Sequence, residues 1–138
     1  MEIALIANEG KKELMAQLCI AYYNTFAKNH LYADSVTAAY VGDASGLVIE
    51  RLLAGGMGGE DQIAARIAYN EIDCLIYFRD TSVDCYDDSH DLLRLCDMRN
   101  IPVATNLAAA EILIRAIDQG ELDWRYYVNA KTKKNIHW

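Results

Sequence analysis

Five short apolar runs, separated by amphipathic stretches of helical period, constrain this chain more than any other feature. The pattern predicts strands over residues 3–7, 31–33, 47–53, 73–78 and 101–105. Helices are predicted over 12–29, 36–44, 61–70, 89–99 and 107–118. In the first helix Leu14, Leu18, Ala21 and Tyr22 fall on one face; in the third, Ile63, Ile67 and Ala68 do. The run over 73–78 is almost continuously apolar, as expected of a parallel strand covered on both sides. Strand–helix alternation of this kind specifies an α/β domain. The expected fold is a doubly wound, mostly parallel five-stranded sheet with helices on both faces. At 138 residues the chain suits one core, so residues 1–138 are expected to form a single domain. Its core spans about 2–127, and a basic and aromatic tail follows over 128–138. The aromatic group Trp124, Tyr126 and Tyr127 reads as a packing or subunit contact. Lys131, Lys133 and Lys134 supply the basic character.

The formal charge of −7 argues against a nucleic-acid partner, which needs Lys and Arg to release counterions. It argues equally against an anionic membrane surface. No apolar run approaches the roughly 20 residues that span a bilayer, and Met1 leads into residues 3–7 without a basic leader. The four cysteines form no CxxC pair; Cys19, Cys74 and Cys96 lie in apolar stretches and read as small hydrophobes. His30, His90 and His137 stand at no ligand spacing from one another, so no metal site is expected. Together these features suggest a reduced cytoplasmic protein.

In a doubly wound sheet, ligands collect beyond the carboxyl ends of the strands. Four stretches lie there: 8–12, 34–37, 54–62 and 80–88. Read in order they resemble methylglyoxal synthase. That family's first strand ends in His-Asp with a lysine three residues on, and this chain has Asn8-Glu9 and then Lys12. Where the family reads Tyr-Ala-Thr-Gly-Thr-Thr-Gly, the chain reads Tyr32-Ala33-Asp34-Ser35-Val36-Thr37-Ala38. Ser-Gly-Pro-Met-Gly-Gly-Asp-Gln-Gln corresponds to Ala54-Gly55-Gly56-Met57-Gly58-Gly59-Glu60-Asp61-Gln62. An Asp-Pro loop with a later Pro-His…Asp corresponds to Arg79-Asp80, Cys85 and Asp88, in a loop two residues shorter. Leu92-Leu93-Arg94-Leu95-Cys96-Asp97 and Ile101-Pro102-Val103-Ala104-Thr105-Asn106 are also typical, and the similarity runs over roughly residues 2–127.

The resemblance implies a homo-oligomer, usually a hexamer, and a cofactor-free reaction on a small phosphorylated triose. A carboxylate takes a carbon-bound proton from dihydroxyacetone phosphate, and the enediolate expels phosphate to give methylglyoxal. Lys12, Thr37 and Gly55 match phosphate-binding positions, and Gly58 and Gly59 allow close backbone approach. Each glycine also reads as a plain strand-to-helix turn, and Lys12 as a solvated lysine of a first helical turn. Glu60 stands at the position of the base, and Asp80 and Asp88 at acidic catalytic positions. The substituted positions are Asn8, Glu9, Asp34, Val36, Ala54 and Cys85. Asp34 sets a carboxylate where a phosphate dianion should lie; each unit pair at ~4 Å and an effective dielectric of ~20 costs roughly 4 kcal/mol. Glu60 shifts the base by a methylene, on the order of 1 Å, and such displacements cost ~10²-fold in rate. Cys85 replaces a histidine donor and cannot be cationic. Acidic neighbours also disfavour it as a nucleophile. These losses predict weak or absent lyase activity. Two other roles fit the same residues: a binding or regulatory module, with the acidic mouth suited to a cationic ligand, or a subunit that assembles with an active paralogue. Asp61, Asp84 and Asp87 are expected to face solvent.

Overall fold

The computed structural model of the chain describes residues 1–52, 59–82 and 90–128, with the backbone alone at 59–61 and 90. The apolar runs form β1 (Glu2–Ala7), β2 (His30–Asp34), β3 (Ile49–Leu52), β4 (Cys74–Phe78) and β5 (Val103–Ala104). They make one sheet in the order β3-β2-β1-β4-β5, and every pairing is parallel. Between them run α1 (Lys12–Ala21), α2 (Tyr23–Ala27), α3 (Ser35–Ser45), α4 (Gly59–Ala68) and α5 (His90–Met98), and α6 (Leu107–Asp118) follows β5. The expected α/β sheet is what forms.

The two-residue period of β1 divides the interior. Ile3, Leu5 and Ala7 enter one core with Met15, Leu18 and Cys19 of α1, Phe26 of α2, Val41 of α3 and Ile114 of α6. Ala4 and Ile6 enter the other, with Ile63 and Ile67 of α4 and Leu92 and Cys96 of α5. All of β4 is buried, as its unbroken apolar composition predicts. Each large aliphatic side chain so buried contributes about 1.5–3 kcal/mol relative to exposure. Cys19, Cys74 and Cys96 are buried free thiols, and burial pushes Cys19 and Cys96 up to about 12. They behave as the small hydrophobes expected of them.

The structure departs from the expected pattern in three places. The helix predicted over 12–29 breaks at Tyr22, whose φ of −112° and ψ of 34° separate α1 from α2. The face of α1 is also turned: Met15, Ala16, Leu18 and Cys19 are buried while Ala21 is exposed. Leu14 and Tyr22 pack only at the margin of the core. The reason is that α1 packs against α3 as well as against the sheet, so two neighbours fix its facing. Finally, the edge strands β3 and β5 are shorter than predicted, and Val48 is left 91% exposed just before β3. Short edges limit unwanted pairing with other chains.

Candidate active site

The winding changes direction between β1 and β4, because α1 leaves β1 toward one face and α5 follows β4 on the other. That divergence opens a crevice at the carboxyl ends of the two strands. Asn8 ties them together: its backbone N donates to Phe78 O at 3.0 Å, and its Oδ1 accepts from Asp80 N at 2.7 Å. Asp80 lies against Gly10, where an added Cβ would come within 2.8 Å of Asp80 Oδ2. A side chain at that position would therefore displace the carboxylate. Asp80 Oδ1 accepts from Ser82 N at 3.0 Å and from Ser82 Oγ at 2.6 Å. These bonds, with a smaller contribution from Lys11, hold the Asp80 carboxyl below its usual range.

Lys12 begins α1 and is 8% exposed. Its Nζ donates to Ala7 O at 3.0 Å and lies 3.4 Å from Glu9 Oε2. The ammonium is thus engaged by the chain itself, although the Glu9 side chain is 91% exposed and the ion pair is correspondingly weak.

One strand over, Asp34 ends β2 and caps α3, its Oδ2 accepting from Thr37 N at 3.3 Å. Asp34 is 9% exposed, so its carboxylate is turned onto its own helix and largely shielded from solvent. A threonine at an N-cap accepts the same bond and keeps a hydroxyl proton to give a ligand. An ionised aspartate accepts only. Thr37 is fully buried and its Oγ1 has no hydrogen-bond partner among the described residues, while Val36 is half-exposed.

Asn8, Glu9, Lys12 and Asp80 thus gather at the ends of β1 and β4, with Asp34, Val36 and Thr37 at the end of β2. Gly59 and Glu60 occupy the first two positions of α4. Ala54, Gly55, Gly58, Cys85 and Asp88 lie outside the described residues, as do Asp84, Asp87 and the basic tail. Sequence reasoning passed over Gly10 and Ser82, although a glycine three residues beyond a site strand is a signal for close approach. His30 opens β2 and lies away from the crevice, with Nδ1 2.8 Å from Glu2 Oε2. Among the described residues no group of His, Cys, Asp and Glu could hold a metal ion. No described helix is long and apolar enough to cross a membrane.

The chain is 50% identical over 137 residues to a methylglyoxal synthase of Caldicellulosiruptor saccharolyticus, a match covering 98% of this chain and 97% of that one. It is 45% identical over 135 residues to a methylglyoxal synthase of Brevibacillus brevis, covering 96% and 99%. The crystal structure of methylglyoxal synthase from Elizabethkingia anophelis matches with a TM-score of 0.77 at 28% identity, over 82% of this chain and 76% of that one. No protein-family model matches the chain. Identity of this extent over almost the whole length, on the same parallel α/β scaffold, makes the chain a member of the methylglyoxal synthase family.

Proposed function

We propose that this family member converts dihydroxyacetone phosphate to methylglyoxal and phosphate weakly or not at all, and that its site has been turned from phosphate. The observation that carries the reading is the Asp34 carboxylate buried in the first turn of α3 and bonded to Thr37 N. In the family reaction a base takes a carbon-bound proton. The C–O bond to phosphate then breaks, and phosphate leaves with the electron pair. Glu60, Asp80 and Asp88 are the proposed acid–base residues; Lys12, Thr37, Gly55, Gly58 and Gly59 are the proposed phosphate contacts. Asp34 opposes the dianion by about 4 kcal/mol per unit pair at ~4 Å and has already taken a backbone donor. Lys12 offsets this only in part, since Ala7 O and Glu9 engage it.

The engaged lysine also favours a second reading, a binding or regulatory module for a cationic ligand. Under either reading the chain is a single-domain cytoplasmic homo-oligomer, a hexamer by family resemblance, that needs no cofactor.

Phosphate release from dihydroxyacetone phosphate by the purified chain tests the first reading. Wild type should run at least ~10²-fold slower than the triple variant Asp34→Thr, Val36→Thr, Glu60→Asp, and Glu60→Gln should remove any residual rate. Wild-type turnover at the speed of the triple variant would end this reading. Thermal stabilisation by spermidine or Ca²⁺ but not by phosphate would select the second.

A further inference from the structure

α1 and α3 pack against each other and leave an open groove of about 520 Å³ between them. Ala16 and Ile20 of α1 and Tyr40 and Ala44 of α3 give it an apolar lining. Ile20 is 53% exposed and Tyr40 46%, so an apolar surface faces outward where a helix normally presents polar side chains. Glu13 and Asp43 also line the groove and no Lys or Arg does. Neither acid is ion-paired among the described residues. The groove shares no residue with the candidate active site.

A segment that covers such a groove must be both apolar and basic. Residues 129–138, which lie outside the described residues, have that composition. Lys131, Lys133 and Lys134 precede Ile136 and Trp138, and none of the ten residues is acidic. The other stretches whose side chains are undescribed, 53–61 and 83–90, contain no Lys or Arg and cannot supply the cations. The distance is also short enough. α1 and α3 return from the carboxyl ends of the strands, so Ile20 and Asp43, near their last turns, lie at the amino ends. The chain reaches Val128 at that same end, since Tyr126 Oη accepts from the Met1 ammonium at 2.9 Å, just ahead of β1. Neighbouring helices stand ~10 Å apart, and ten residues extend to about 33 Å. We propose that residues 129–138 dock in the α1–α3 groove of their own chain. The lysines meet Asp43 and Glu13, and Ile136 and Trp138 cover Ile20 and Tyr40. The docking is independent of the lyase reading.

Trp124→Phe leaves Trp138 as the single tryptophan of the full chain, and its fluorescence tests the docking. Its emission should lie to the blue of free tryptophan amide, acrylamide should quench it weakly, and its indole should show nuclear Overhauser contacts to Ile20. Ile20→Ser with Tyr40→Ser should remove the protection. Glu13→Lys with Asp43→Lys should move the docked-to-free ratio about tenfold toward free, the worth of two exposed ion pairs. Adding Lys133→Glu and Lys134→Glu to that variant should restore the protection, which a general loss of folding would not allow. Quenching of Trp138 as free as that of tryptophan amide overturns the proposal, and so does protection that survives both groove variants. It also falls if, in a mixture of differently labelled chains, the contacts to Ile20 arise only between copies, because a second copy then fills the groove.

Discussion

At the amino ends of the strands Arg125 and Asp73 are 2% and 3% exposed; at the carboxyl ends Lys12 and Asp34 are 8% and 9% exposed. The two pairs of charges are similarly buried and quite differently satisfied. Arg125 donates from Nε to Asp73 Oδ1 at 3.2 Å, from Nη1 to Asn100 O at 2.8 Å and from Nη2 to Asn70 Oδ1 at 2.8 Å and Ile72 O at 3.2 Å. Asp73 Oδ2 in turn accepts from Glu2 N at 2.9 Å. The partners of Arg125 lie 25 to 55 residues away, and they join the ends of α4 and α5 to the start of β4. Asp34, by contrast, bonds within its own helical turn, and Lys12 bonds to residues three and five positions away. Charges satisfied from distant parts of the chain are part of the fold. Charges satisfied locally can be exchanged without disturbing it. The proposed departure of the site from the family pattern therefore needs no change in the architecture.

The largest effect that would test the contrast is at Arg125. Arg125→Ala leaves Asp73 buried without its guanidinium and should cost about 3–5 kcal/mol in urea unfolding. Arg125→Lys should restore little, because a compact ammonium cannot reach the carboxylate, two carbonyls and an amide oxygen together. A loss below ~1 kcal/mol would break the comparison at its stronger side.

Asp34 should give a smaller effect. Asp34→Ala removes a helix cap and should cost about 1 kcal/mol, whereas Asp34→Thr keeps a capping oxygen and should cost only a few tenths. The threonine variant should also bind inorganic phosphate more tightly in a calorimetric titration, since a hydroxyl donor replaces an anion. A cost for Asp34→Thr as large as that for Arg125→Ala would mean the carboxyl end is no more replaceable than the amino end.

The two ends were not equally legible in the sequence. The carboxyl-end stretches followed from strand–helix alternation, and the residues around Asp34 and Lys12 could be read in order because their partners are near in sequence. Arg125 was invisible. It sits in an aromatic segment between Trp124 and Tyr126, with no periodicity to mark it as buried. The one available signal was Asp73, a charge placed directly before a fully buried strand, which demands a cationic partner from somewhere in the chain. The facing of α1 was misread for a related reason. Local periodicity fixes that a helix has an apolar side, but the packing of α1 against α3 chose Met15 and Cys19 over Ala21.

The smallest effect concerns Asp80, whose carboxylate bonds to a residue only two positions along the chain. Its carboxyl is held below the ordinary aspartate value of 3.8 chiefly by the Ser82 hydroxyl and Ser82 N. A folded-state value below the unfolded one adds stability that is complete above the ordinary carboxylate range and is lost as pH falls through the folded value. Ser82→Ala removes the larger of these causes, so Asp80 should titrate closer to 3.8, while stability near neutral pH stays within measurement error because the group is solvent-screened. Carboxyl-carbon NMR titration of the wild type and the variant reads this directly. If Asp80 titrated identically in both, its charge would be set by the wider field of the crevice, and local bonding would not distinguish this end of the sheet from the other.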